Sequence, residues 1–251
     1  MATSERSRTK RVLVAVAVVV GVLVAAAAWY VNDYYHADDV ALAVIADEDG
    51  DADGVVVQHL PSGDIAFMPD KPIAGLVFYP GAKVQPEAYA PLMQRCAEKG
   101  ILCVIVKPLF NLAIIDMNAA DGAIDQFPEI DCWMLAGHSM GGVAASDFAS
   151  RHADAFDGIV FLASYPSADL ASFNGDALCI VGSNDEVLNR EKAEEAKSKL
   201  PVRETELTIV GGNHAYFGNY GEQAGDGPAT ISREDQQAQT AAAIVELAKA
   251  H

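Results

Sequence analysis

The chain has 251 residues, 51% hydrophobic and 21% charged, with 17 Lys and Arg against 35 Asp and Glu for a formal net charge of −18. A chain this apolar is not disordered and buries a core without staples, and its length suits one α/β domain. The acidic balance excludes a nucleic-acid partner, because neutralising phosphates takes clustered Lys and Arg.

Residues 1–11 form a basic N-terminus, with Arg6, Arg8, Lys10 and Arg11 against Glu5 alone. Residues 12–31 then carry no charge and end in Trp29 and Tyr30. At about 1.5 Å per residue this run covers the roughly 30 Å hydrocarbon core of a bilayer. Basic residues before it and Asp33, Asp38 and Asp39 after it predict a single-pass transmembrane anchor in the cell membrane, N-terminus inside and the bulk extracytoplasmic. The alternative is a signal peptide cleaved near Ala26-Ala27-Ala28 and a secreted product, although secretory apolar regions are usually about 7–15 residues. The first eleven residues hold a net +3, so the −18 of the whole leaves −21 on the remainder.

Residues 32–54 read as an acidic linker. Within it Asp49, Asp51 and Asp53 fit the first half of a calcium loop. The twelfth position, where a bidentate Glu normally completes the ligand set, is Leu60, so an acidic solvated turn is the reading and calcium stays open. No His/Cys cluster has zinc spacing and no phosphate-binding glycine loop is present, so no metal site is assigned.

From residue 55 to 251 short apolar runs alternate with helical stretches. Val55–His59 and Ile65–Met68, separated by Pro61-Ser62-Gly63-Asp64, predict a hairpin. Ile73–Tyr79 is a strand, Pro86–Lys99 a helix stopped by Gly100, and Ile101–Val106 a strand covered on both faces. Asn118–Phe127 reads as helix, Cys132–Ala136 as strand, Gly142–His152 as helix, and Ile159–Ser164 and Ala177–Val181 as strands. Arg190–Leu200 is a charged helix, Glu206–Val210 a strand, and Ser232 an N-cap for a final helix to about Ala250. This order implies a three-layer α/β/α sandwich with a mainly parallel sheet and an antiparallel N-terminal hairpin. The dozen residues between Ser164 and Ala177 leave no room for a large cap domain. Cys103, Cys132 and Cys179 fall inside strand runs and read as buried thiols, with Cys96–Cys103 the one pairing worth entertaining.

Gly137-His138-Ser139-Met140-Gly141 fits G-x-S-x-G directly between a strand and a helix. That context is what the chemistry needs, because a sharp strand-to-helix turn lifts the serine hydroxyl free and glycines relieve the crowding. A nucleophilic serine needs a base, and the base an orienting carboxylate. Asp185 follows the strand 177–181 and His214 the strand 206–210, giving the order Ser, acid, His, each just past its own strand. Glu186 is the reserve acid, and His138 packs beside the elbow. The backbone N–H groups of Ala82, after Tyr79-Pro80-Gly81, and of Met140 are the expected oxyanion donors. Tyr79, Lys83, Lys107, Tyr216 and Phe217 are candidate pocket residues, the last two on a glycine-rich loop expected to wall the pocket. Lys83 and Lys107 could instead be solvated strand-end lysines.

Phe78-Tyr79-Pro80-Gly81, Gly137-His138-Ser139-Met140-Gly141-Gly142 and Gly212-Asn213-His214-Ala215 resemble the α/β-hydrolase superfamily over roughly residues 55–250. Phe217-Gly218-Asn219-Tyr220-Gly221, Gly225-Asp226-Gly227 and Ile231-Ser232-Arg233-Glu234 resemble its small fold-5, dienelactone-hydrolase-like branch. The resemblance implies a Ser-His-Asp hydrolase on Ser139, Asp185 and His214. The dienelactone label transfers poorly, since those enzymes use a Cys nucleophile where this chain has Ser139. The expectation is a serine hydrolase of small-molecule carboxylic esters that needs no cofactor. Its alternatives are a thioesterase, acyltransferase or peptidase on the same residues, a non-catalytic binding protein, or a membrane-tethered scaffold.

Overall fold

The computed structural model describes residues 2–46 and 54–251. Asp49, Asp51 and Asp53 lie outside the described residues. The chain divides into two compact units, one ending at Tyr34 and one running from Tyr35 to His251.

The first unit is helix α1, Ala2–Asn32. Its stretch Leu13–Asn32 is long and apolar enough to cross a membrane, and none of it is buried. Trp29 and Tyr30 at its end are exposed. By length and composition a signal sequence meets the same description.

The second unit is built on an eight-stranded sheet of order β1-β2-β4-β3-β5-β6-β7-β8. The strands are β1 (Val55–His59), β2 (Ile65–Pro69), β3 (Ala74–Tyr79), β4 (Ile101–Ile105), β5 (Trp133–His138), β6 (Gly158–Leu162), β7 (Asp176–Gly182) and β8 (Glu204–Ile209). The β1–β2 hairpin is antiparallel and β2 runs antiparallel to β4, while every later pair is parallel. Every residue of β3, β4, β5 and β6 is buried, as the unbroken apolar runs demand. Successive side chains of β3 part to opposite faces, Leu76 and Phe78 to one core and Val77 and Tyr79 to the other. Helices α2 (Asp39–Ala46), α3 (Ala90–Ala97) and α6 (Arg233–Ala248) cover the first face, and α4 (Met140–Arg151) covers the second. This is the expected three-layer α/β/α sandwich with its N-terminal hairpin.

Strand order reverses at β3, whose neighbours are β4 on one side and β5 on the other. Open α/β sheets bind ligands at the carboxyl ends of strands beside such a reversal. Tyr79 and Gly137 are register partners there, so the loops after β3 and β5 leave the sheet side by side.

Three elements depart from expectation. Pro86–Lys99 is a 3-10 turn, Pro86–Tyr89, followed by α3. Pro91 cannot donate and its ring opposes the carbonyl four residues back, so the helix is reset at that point. Asn118–Phe127 is not a helix but a run of turns with one 3-10 turn at Ile124–Gln126. Gly122 takes φ +78°, and the Tyr79 hydroxyl donates to Met117 O and accepts from Ala120 N, which ties the segment down as a loop. Finally, α2 lies within the stretch expected as acidic linker. Asp38 caps it by accepting from Ala41 N at 3.0 Å, and Ala41 and Ile45 are buried in the core. The four cysteines are free thiols; Cys96 and Cys103 are buried, whereas Cys132 and Cys179 are half-buried.

Candidate active site

The turn from β5 into α4 is set by glycines. A Cβ on Gly137 would strike the backbone of Gly141, and one on Gly141 would strike the Tyr79 carbonyl. Between them Ser139 adopts φ +53° and ψ −122°, outside the regions L-residues favour. Such a conformation costs about 1–3 kcal/mol and persists only where its surroundings over-determine it. Here Ser139 N donates to Leu162 O at 2.9 Å, while Ser139 O accepts from Ser164 Oγ at 2.6 Å and Gly142 N at 3.1 Å. Ser139 remains half-buried, and Met140 opens α4 with an amide that has no partner inside the helix.

Asp185 and His214 meet across the loops after β7 and β8. Asp185 Oδ1 accepts from the amides of Val187 and Leu188 at 2.9 and 2.8 Å, which aims Oδ2 at His214 Nδ1, 2.9 Å away. Both side chains are essentially inaccessible to solvent. An ionised carboxylate only accepts, so Nδ1 carries the imidazole proton and Nε2 presents a lone pair. Nε2 is buried and has no hydrogen-bond partner among the described residues. The Asp185–His214 pair is therefore brought together, whereas a hydrogen bond from Ser139 Oγ to Nε2 is not made. Glu186 is exposed and takes no part in the pair.

The histidine loop is braced by groups the sequence did not single out for the site. The Asp226 carboxylate accepts from His214 N at 3.2 Å and Ala215 N at 2.9 Å. Gln236 of α6 closes a two-way amide bond with Asn213, accepting from its N at 3.0 Å and donating to its O at 2.8 Å. The signal for Asp226 was present in Gly225-Asp226-Gly227, but nothing in the sequence places Gln236 against a loop 23 residues away.

His138, beside the elbow, joins three loops. Its Nε2 lies 3.1 Å from the His214 carbonyl, which can only accept, so Nε2 is the protonated nitrogen. Its Nδ1 then accepts from the Tyr89 hydroxyl at 2.7 Å, and the Tyr89 oxygen accepts from Gly81 N at 3.0 Å. Burial, reinforced by the neighbouring His214, holds the His138 pKa well below the ordinary histidine value, so it stays neutral. Ala82, next along, forms no backbone hydrogen bond among the described residues. Its amide and that of Met140 are two donors without a hydrogen-bond partner on adjacent loops among the described residues.

The expected pocket residues are differently employed. The Tyr79 side chain is buried, with its hydroxyl spent on Met117 and Ala120. Lys83 sits in a turn at φ +58°. Lys107 Nζ pairs with Glu87 Oε1 at 2.8 Å. Burial raises the Glu87 pKa, but the Lys107 hydrogen bond and charge outweigh it and hold the carboxyl below its usual value. Phe217 is fully buried with its ring 5.7 Å from that of His138, so its surface is spent on the core and not on a pocket wall. Tyr216 is half-buried with the Arg233 guanidinium 4.7 Å over its ring. A cavity of about 310 Å³ lies between β7 and α5 (Arg190–Ala196), lined in part by Ser164, Leu188, Arg190, Glu194, Lys197 and Glu206, and by none of Ser139, Asp185 and His214. Ser164 links it to the elbow through its bond to Ser139 O.

No curated protein matches the chain. Among solved structures it is similar to Est1E from Butyrivibrio proteoclasticus, with 13% identity, TM-score 0.55, and coverage of 79% of this chain and 100% of that one. TT1662 from Thermus thermophilus gives 17% identity and TM-score 0.55 over 78% of this chain and 99% of its own. A structure from work on LipS and LipT, two metagenome-derived lipolytic enzymes, gives 14% identity and TM-score 0.57 over 77% and 100%. At these identities the likeness is one of fold. The family model described as "Alpha/beta hydrolase family" matches residues 75–238. That match runs from β3 into α6, across the reversal in strand order and every loop described above, and so the chain belongs to the alpha/beta hydrolase family.

Proposed function

We propose that the chain is a serine hydrolase that cleaves carboxylic esters through an acyl-enzyme. The observation that carries this is the buried His214 Nδ1–Asp185 Oδ2 pair at 2.9 Å, which leaves Nε2 unpartnered at the sheet edge where Ser139 sits in a strained turn. Ser139 Oγ attacks the ester carbonyl while His214 Nε2 takes its proton. Asp185 holds the tautomer and stabilises the cation that forms. The amides of Ala82 and Met140 receive the developing oxyanion, the second from a helix N-terminus whose dipole favours negative charge. His214 then returns the proton to the leaving alcohol, and water releases the acid by the same steps in reverse. The unmade Ser139–His214 hydrogen bond is compatible with this, because catalytic hydrogen bonds often tighten only once substrate is bound.

One solved structure of Est1E has ferulic acid bound, and LipS and LipT are called lipolytic; both lean toward ester substrates for this chain. We further assign α1 as an uncleaved anchor, with the hydrolase domain on the extracytoplasmic side.

The test is labelling of the full chain with a fluorophosphonate probe, beside Ser139→Ala and a panel of p-nitrophenyl esters. Labelling and short-ester turnover that both vanish in Ser139→Ala are the expected result. A folded protein that neither labels nor turns over esters would overturn the proposal, and preferential turnover of thioesters or amides would redirect it. The intact mass of the mature protein decides between anchor and cleaved signal.

A further inference from the structure

The chain enters the hydrolase domain at its reactive edge. Tyr35 N donates to Lys83 O at 2.7 Å and Gln85 N donates to Tyr35 O at 2.9 Å, a short parallel bridge onto the loop that carries Ala82. The Tyr35 hydroxyl accepts from Ala224 N at 3.3 Å, on the loop that follows His214. The first residue of the domain is thus fastened to two loops of the proposed catalytic centre, at the carboxyl ends of the strands.

On the same edge the loop after β4 carries large apolar side chains in solvent. Leu109 is 63% exposed, Phe110 60% and Ile115 57%. The loop is fixed to the first one by Lys83 N donating to Asn111 O at 2.8 Å. Phe110 and Asn111 both adopt left-handed backbone, with φ 56° and 55°. The chain accepts strain at a bulky residue while leaving its ring in water, which burial of that ring in another phase would offset.

Only Asp33 and Tyr34 separate the apolar helix from Tyr35. Three peptide steps span at most about 11 Å. With α1 in a bilayer, the covalent chain holds Tyr35 within that distance of the end of the helix, and the loops fastened to Tyr35 are tethered through it. The tether also supplies a high effective concentration, so even a weak interfacial affinity is saturated. The domain is strongly acidic, so contact with the membrane has to come from apolar side chains and not from attraction to anionic headgroups.

We infer that Leu109, Phe110 and Ile115 enter the interface of the membrane that holds α1, and that the enzyme takes its ester from that membrane. The substrate class is an amphiphile whose acyl ester sits at headgroup depth, entering sideways toward Ser139. This rests on the serine-hydrolase and anchor readings above.

The test uses the full chain in phosphatidylcholine proteoliposomes. In a Trp29→Phe background, whose emission from buried Trp133 is measured and subtracted, a tryptophan placed by Phe110→Trp should be quenched by brominated phosphatidylcholine. One placed by Val202→Trp, fully solvated at the opposite edge, should not. Equal quenching at the two sites, or none at either, overturns the inference whatever the activity. In the double variant Phe110→Asn/Ile115→Ser, turnover of an oleoyl ester dissolved in the bilayer should fall at least about tenfold, as loss of two apolar contacts implies. Turnover of soluble p-nitrophenyl acetate should stay within about twofold, the usual span for surface changes. An equal loss on both esters, or on neither, sinks the membrane-substrate claim. Failure of the hydrolase reading is separate: activity would survive Ser139→Ala while the quenching pattern stayed as expected.

Discussion

The two buried imidazoles sit with ring centroids 4.6 Å apart, and hydrogen bonding sends them to opposite tautomers. Asp185 draws the proton of His214 to Nδ1, whereas the His214 carbonyl draws that of His138 to Nε2. Asp185→Asn keeps an oxygen for the Val187 and Leu188 amides but turns donor hydrogens toward Nδ1. The imidazole must then carry its proton on Nε2, where no base remains. We expect kcat to fall by about three to four orders of magnitude with the fold intact by circular dichroism; a loss under tenfold would remove Asp185 from the mechanism. His138 answers to pH through stability. Its folded pKa lies below its unfolded value of about 6.5, so the unfolded chain binds more protons under acid. The stability from burying it neutral is therefore held above about pH 6.5 and lost as pH falls below it. Thermal melts between about pH 7.5 and 5.5 should show that decline, with a shallower slope in His138→Gln. Parallel slopes would place the titrating group elsewhere.

At the scale of elements, what could be read from sequence was whatever local pattern alone decides. The strands at 74–79, 101–105 and 133–138 announce themselves because a strand covered on both faces must be apolar throughout. The elbow was legible for a similar reason, since glycines on both sides of Ser139 answer a steric need inside five residues. So was the Ser232 cap, whose Oγ accepts from Asp235 N at 3.0 Å. What escaped depends on partners distant in the chain. The helical pattern at 118–127 is overruled by the Tyr79 hydroxyl from β3, and the link from Tyr89 through His138 to His214 joins three loops that no spacing relates. Helix α2 was hidden by the acids around it, of which Asp38 is not a solvated linker charge at all. It caps α2, accepts from Asn219 Nδ2 at 3.2 Å, and pairs with Arg233 Nη1 at 3.1 Å on α6. Asp38→Ala should cost about 1–2 kcal/mol, in the range of a lost cap, because the Arg233 pair is partly solvated and adds little. Urea titration checks this. A larger cost would mean that α2 and α6 depend on this carboxylate for their packing, and no cost would return residues 32–46 to the status of linker.

At the scale of the whole molecule, charge and architecture constrain the substrate together. The domain from Tyr35 to His251 carries 13 basic and 33 acidic residues, a net −20, and only a short connection between β6 and β7 stands where a cap domain would shield the reactive edge. Of the two lysines that could have drawn a substrate carboxylate, Lys107 is already paired with Glu87 at 2.8 Å. An anionic ester therefore approaches Ser139 against the field of the protein, whereas a neutral one does not feel it. Added salt shortens the Debye length from about 30 Å at 0.01 M to about 8 Å at 0.15 M, so it lifts the barrier for the anionic ester alone. For a pair of p-nitrophenyl esters matched in length, kcat/KM for the one ending in a carboxylate should rise severalfold over that range, while the neutral partner stays flat. A rate that falls with salt for the anionic ester would mean that cations, Lys83 among them, dominate the local field at the reactive edge. The substrate would then be an acid ester, in spite of the acidic surface around it.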